Sequence, residues 1–186
     1  MNDRRAVFLD RDGTVIEDTG YPRVPADVRL LPDAAAAVRQ LNQRGILAVV
    51  VTNQSGIARG LLTMEDYAAT ERQLDMLLDE EGAYLDAHYF CPHFPELSGP
   101  CDCRKPGSLL YRQAADRFGI DLSRSWWVGD RIRDVLPAMS LGGQGILIGP
   151  TEESHPDARR FARADSLSAA VDLILASSSS LPAPSS

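Results

Sequence analysis

The chemistry-bearing residues of this 186-residue chain fall into a few short groups. The first is Phe8-Leu9-Asp10-Arg11-Asp12-Gly13-Thr14, with two carboxylates two residues apart at the end of an apolar run. Acids this close repel, so one can keep its proton while the other is ionised, which suits a nucleophile beside a general acid. Gly13 permits a sharp turn that brings backbone N–H groups toward a ligand. The second group is Val51-Thr52-Asn53-Gln54-Ser55-Gly56, a hydroxyl and two amides suited to phosphate oxygens. The third is Cys103-Arg104-Lys105-Pro106-Gly107, a lysine just before a helix start at Ser108, where an anion is favoured. The fourth is Val128-Gly129-Asp130-Arg131-Ile132-Arg133-Asp134, another carboxylate after an apolar run. Carboxylates from the first and fourth groups, with phosphate oxygens and water, make the oxygen-only octahedral set that Mg²⁺ prefers. Read singly, each group has an ordinary structural explanation: a solvated Asp-Gly turn, a capping loop, a surface charge pair, or an N-cap at Asp130 or Asp134. Their conjunction favours one site.

A further cluster holds all three cysteines of the chain: Cys91, His93, Cys101 and Cys103 fall within residues 91–103. An odd number of thiols cannot form a fully paired disulfide scaffold, and a C-x-C pair bridges only under strain. Cys₃His is a standard tetrahedral set for structural Zn²⁺, which leaves no open position for catalysis. The loop also contains Pro92, Pro95, Gly99 and Pro100 and little apolar content, so a metal would order what burial cannot. His88, His155, Trp126 and Trp127 read as ordinary strand, loop and core residues.

The elements that must position these groups follow from the apolar pattern. Short continuous runs at Ala6–Leu9, Ile46–Val51, Ala87–Phe90, Ser125–Val128 and Gly145–Ile148 read as strands buried on both faces. Helical stretches lie between them. One is capped by Asp33, one runs from a Thr63–Asp66 capping box to about Glu81, and one follows Ser108; two more span Asp134–Leu141 and Leu167–Ala176. Strand and helix alternate, which predicts an α/β fold with a doubly wound, mostly parallel sheet whose strand C-termini gather a ligand site. Residues 1–176 read as one domain and the Ser/Pro-rich residues 177–186 as a tail. The net charge of −7 argues against a nucleic-acid or anionic-membrane partner. The start of the chain has no signal-peptide pattern and no run reaches membrane-spanning length, so the expectation is a cytoplasmic protein, as a monomer.

Together these stretches, with Gly20-Tyr21, Ile57-Ala58-Arg59-Gly60 and Cys91-Pro92-His93, resemble the haloacid dehalogenase (HAD) superfamily of phosphohydrolases over nearly the whole chain. Within it the resemblance is to the heptose-bisphosphate phosphatases and the related histidinol-phosphatases. It implies a HAD-like Rossmannoid core, here with minimal cap and a zinc-binding loop, because no insertion is long enough for a cap domain. It implies Asp10 as the nucleophile forming an aspartyl-phosphate, and Asp12 as the acid and then the base. Thr52 and Lys105 would hold the phosphoryl group and Arg104 the substrate. Mg²⁺ would sit on Asp10, Asp130 and the backbone carbonyl of Asp12. Asp18, Thr19, Gly20 and Tyr21, with Asn53, Gln54 and Ser55, would line the site of a small phosphorylated sugar. Arg131 departs from the lysine usual after this aspartate in the heptose enzymes, and a planar fork can still bind an anion there. The alternatives are a histidinol-phosphate phosphatase and, from another class, a phospho-accepting receiver module. Receivers place their acceptor aspartate after a middle strand and lack the cysteine loop.

Overall fold

The computed structural model describes residues 4–150 and 155–178. The first strand, β1 (Ala6–Leu9), is wholly buried. Its side chains alternate between two cores: Ala6 and Phe8 enter one, Val7 and Leu9 the other. It is flanked by β2 (Leu47–Asn53) and β4 (Trp126–Gly129); outside these lie β3 (Ala87–Cys91), β5 (Gln144–Ile148) and β6 (Ala162–Ala164). The order is β3-β2-β1-β4-β5-β6, and every pairing is parallel. This is a doubly wound order, and its switch point lies between β1 and β4, where ligands bind at strand C-termini. Asp10, Thr52 and Asp130 stand at those ends.

Seven helices are described: α1 (Ala34–Gln43), α2 (Met64–Glu80), α3 (Pro95–Ser98), α4 (Leu109–Phe118), α5 (Ile132–Val135), α6 (Pro137–Leu141) and α7 (Leu167–Ser178). Helices α1, α2 and α7 contribute to the core that contains Val7, Val50 and Val128. Helices α4, α5 and α6 cover the opposite sheet face. The capping box at α2 forms as the sequence predicts. The Thr63 hydroxyl accepts from the Asp66 N–H at 3.0 Å, and Asp66 accepts from the Thr63 N–H at 2.8 Å.

Several details differ from the expectation. Asp33 occupies the N-cap position of α1 but makes no capping hydrogen bond; it adopts a left-handed conformation, φ 61°. Ser108 precedes α4 without capping it. The expected helix at Asp134–Leu141 begins earlier, at Ile132, and is divided at Leu136–Pro137, because proline cannot continue the hydrogen-bond ladder. The short edge strand β6 has no sequence signal, since Ala162-Arg163-Ala164 is too brief to show a period. Helix α7 extends two residues beyond Ala176, and residues 179–186 of the expected tail lie outside the described residues. Among the described residues no helix is long and apolar enough to cross a membrane.

Trp126 and Trp127 separate onto the two faces of the sheet. Trp127 is fully buried, with its ring 5.0 Å from Phe8 and 5.7 Å from Tyr111. Truncating it empties the centre of that layer. Trp127→Ala is expected to lower unfolding free energy by about 3–5 kcal/mol, read from a urea denaturation midpoint at unchanged slope.

Candidate active site

Lys105 organises the strand ends. Its side chain is 1% exposed, and Nζ lies 2.5 Å from an Asp10 carboxylate oxygen and 2.7 Å from one of Asp134. Its backbone is clasped by the Asn53 amide at the end of β2. The Lys105 N–H donates to Asn53 Oδ1 at 2.9 Å, and Asn53 Nδ2 donates to the Lys105 carbonyl at 3.3 Å. Burial alone would push the ammonium toward neutrality, but Asp10 and Asp134 outweigh it and hold Lys105 above its ordinary range.

Asp10, Asp130 and Asp134 each offer an oxygen, all within 4.8 Å of one another. Two glycines permit this approach: a Cβ on Gly13 (φ +81°) would meet an Asp130 oxygen at 2.7 Å, and one on Gly129 would meet Asp134 Cβ at 2.4 Å. Burial pushes the Asp10 carboxyl up to about 7, with Asp134 adding repulsion and Lys105 opposing it. Burial, with Asp134 beside it, also raises Asp130. One buried oxygen of Asp130 has no hydrogen-bond partner among the described residues. An orphaned acceptor among crowded carboxylates fits a hard divalent cation.

The Asp12 carboxylate lines the same cleft but is not part of this trio. It accepts two hydrogen bonds from buried Arg11, at 3.0 and 3.1 Å, and one from Gln54 Nε2 at 2.9 Å. Gln54 Nε2 also donates to the Thr52 hydroxyl at 2.9 Å.

A cleft of about 380 Å³ opens above these groups. It is lined by Asp10, Asp12, Asp18, Gly20, Tyr21, Thr52, Asn53, Gln54, Ser55, Arg104, Asp130 and Arg131. Thr19 is exposed and is not among the lining residues. Lys105 lies buried beside the carboxylates and does not line the cleft wall. The structure adds residues to which sequence reasoning gave no role: Arg11 behind Asp12, Asp134 in the acid trio, and Arg59, Phe94 and Arg133 in the cleft wall. Asp134 had a signal in its place four residues after Asp130, but a cap explains that equally well. It does cap, accepting from the Arg131 N–H at 3.0 Å, and it pairs with Lys105 too.

The cysteine cluster assembles at the end of β3. Cys91 Sγ lies 3.0 Å from Cys103 Sγ and 3.6 Å from both Cys101 Sγ and His93 Nδ1; His93 Nδ1 lies 3.1 Å from Cys103 Sγ. None of the cysteines is in a disulfide. Four donors around a tetrahedral ion with bonds of about 2.0–2.3 Å would stand about 3.3–3.8 Å apart; two of the four separations fall in that range and two are slightly shorter, and the Cys₃His donor chemistry suits a thiolate-binding metal. Burial pushes the Cys91 and Cys103 thiols up, the cost that a bound cation reverses. The cluster reaches the cleft directly, because Arg104 Nη1 donates to the His93 carbonyl at 3.2 Å.

A parallel doubly wound sheet with an aspartate just past its first strand, a second-strand threonine, a buried lysine and an acid trio is the arrangement of a HAD-type phosphatase. The HAD-hydrolase-like family model matches residues 102–173. The D-glycero-beta-D-manno-heptose-1,7-bisphosphate 7-phosphatase of Haemophilus ducreyi is 42% identical over 144 residues, 75% of this chain and 79% of that protein. Its counterpart in Yersinia pestis is 40% identical over 149 residues, 77% and 79% of the two chains. The D,D-heptose 1,7-bisphosphate phosphatase of B. bronchiseptica, solved with magnesium and phosphate, superposes with a TM-score of 0.80 at 30% identity, covering 93% of this chain and 99% of that one. The chain belongs to the family of these heptose-bisphosphate phosphatases within the HAD-like hydrolases.

The raised Asp10 carboxyl sets a pH dependence. Its folded pKa, about 7, lies above the unfolded 3.8. Its contribution to stability is present below about pH 4 and is lost as pH rises toward 7. A divalent cation displaces the proton and reverses that loss. The rise in Tm on adding Mg²⁺ to metal-free protein is therefore expected to be larger at pH 7.5 than at pH 5.5, as read by thermal shift.

Proposed function

We propose that this chain removes the 7-phosphate of D-glycero-D-manno-heptose 1,7-bisphosphate by way of an aspartyl-phosphate. The observation that carries the reading is the pairing of Asp10 with buried Lys105 beneath an arginine-lined cleft, in a chain whose relatives bear that name. Asp10 attacks phosphorus in line as the bond to the sugar oxygen breaks. Asp12, aimed by Arg11 and Gln54, gives that oxygen a proton. It then takes one from the water that attacks the phosphoryl group, which frees Asp10 and releases inorganic phosphate. Thr52 and Lys105 bind phosphoryl oxygens, and Arg104 and Arg131 contact the substrate. Asp18, Gly20, Tyr21, Asn53, Gln54 and Ser55 face the sugar, whereas Thr19 lies outside the cleft wall. Asp10, Asp130 and the Asp12 carbonyl would hold Mg²⁺, which when bound offsets the repulsion between the anionic nucleophile and the phosphate. Phosphoryl transfer depends chiefly on such positioning and charge neutralisation.

The metal at Cys91, His93, Cys101 and Cys103 is zinc in this reading, with a structural role. Three reduced thiols near one another support a cytoplasmic setting. The acidic balance supports a small-molecule substrate rather than nucleic acid or an anionic membrane. The reading keeps residues 1–176 as a single domain acting as a monomer, which sedimentation checks.

Asp10→Asn is expected to lower phosphate release at least about 10³-fold while leaving the circular dichroism spectrum unchanged. Retained turnover overturns the nucleophile assignment. The wild type is expected to show higher kcat/KM on the β anomer of the heptose bisphosphate, the anomer that the relatives' name carries, than on histidinol phosphate. The reverse order transfers the function to the alternative. Removing zinc with a thiolate-competing chelator, with Mg²⁺ kept saturating, is expected to lower kcat/KM by about 10-fold or more, and zinc alone is expected to restore it.

A further inference from the structure

Four guanidiniums line the cleft, and three are accounted for by nearby groups. Arg104 donates to the His93 carbonyl, and Arg131 pairs with Asp130 at 3.2 Å. Arg133 stands in the same corner, where its charge acts on Asp130. The fourth, Arg59, makes no ion pair among the described residues. It is nevertheless held on three sides. Its guanidinium carbon lies 5.7 Å from the Tyr21 ring centroid and 5.2 Å from that of Phe94, and Nη1 donates to the Tyr21 hydroxyl at 2.7 Å.

Three contacts brace the mount. The Tyr21 ring rests on bare backbone at Gly56, where a Cβ would lie 2.5 Å from the ring. The Ala58 N–H donates to the Pro92 carbonyl at 3.2 Å, and the Gln54 N–H donates to the Cys91 carbonyl at 2.8 Å. Three loops of the chain thus converge to present one unpaired cation at a cleft whose floor already carries the groups for phosphoryl transfer. Arg59 stays exposed, but the two aromatic faces and the hydroxyl restrict the rotamer freedom that binding would otherwise cost, and they present a planar fork matched to an oxyanion.

We propose that Arg59 binds the phosphate that is not transferred, so that the cleft selects a sugar carrying two phosphates over one carrying a single phosphate. This rests on the reading that the substrate is a bisphosphate. Lys105 and Thr52 serve the phosphate that leaves, and Arg59, between Tyr21 and Phe94, serves the one that stays. Phe94 follows the metal-binding His93 directly, so the same ordered loop sets both Arg104 and the ring under Arg59.

The test compares heptose 1,7-bisphosphate with heptose 7-phosphate on the full chain. Wild type is expected to favour the bisphosphate. Arg59→Met is expected to lower that kcat/KM ratio by about 10- to 100-fold, mainly through KM on the bisphosphate, as befits the loss of one charge-assisted contact. Arg59→Lys, which keeps the charge without the fork, is expected to recover part of the ratio. Tyr21→Phe, which removes only the hydroxyl that holds Nη1, is expected to shift it in the same direction by less. An equal loss on both substrates overturns the proposal, because a purely structural role for Arg59 predicts that result. So does an unchanged ratio in Arg59→Met. A wild type with no preference for the bisphosphate overturns the substrate reading and this inference with it, whereas a preference that survives Arg59→Met overturns the inference alone.

Discussion

The structure depends on one buried ammonium. Three aspartates crowd the same rim of the sheet, and without Lys105 their mutual repulsion in a dehydrated setting would be prohibitive. Lys105 does not neutralise them fully. With all three ionised the cluster still carries two negative charges, the complement of a divalent cation. The group is thus built to be incomplete, and burial raises the Asp10 carboxyl well above its ordinary range.

The position of that ammonium is set from a distance. Lys105 sits on a loop with no strand of its own. It is fixed by the Asn53 amide on one side and by the tight packing of Gly107 against the Asp102 carbonyl, where a Cβ would lie at 2.3 Å, on the other. In register, Asn53 stands opposite Cys91, so the β2–β3 ladder runs straight into the cysteine cluster. Strand pairing, the cysteine cluster and the buried lysine form one continuous chain of contacts.

Much of this could be read from residue order. The strands announce themselves because both faces are buried, which makes each run continuously apolar. Asp10, Asp12, Thr52, Lys105 and Asp130 stand out because each follows such a run or precedes a helix. Asp134 was harder to read, because a carboxylate three residues into a helix looks like a cap and here is one as well. Arg11 and Arg59 fall in recognisable stretches, but nothing local told what their guanidiniums would pack on. Their aromatic partners, Tyr67, Tyr21 and Phe94, lie 35 to 56 residues away, and only the tertiary fold brings the rings to the guanidiniums. Strand β6 and the division of the helix at Pro137 depended on packing and on backbone geometry too short to leave a period.

The loop carrying the cysteine cluster springs from the edge strand and gathers its four donors at one point, and most of residues 92–100 stay outside the two hydrophobic layers. Folding strength and ligand choice therefore reside in separate parts of the molecule. A lineage can lengthen, shorten or rewrite the stretch between His93 and Cys101 without disturbing the interior, provided the donors return to their places. The scaffold stays constant while its outer wall is free to drift toward new sugars.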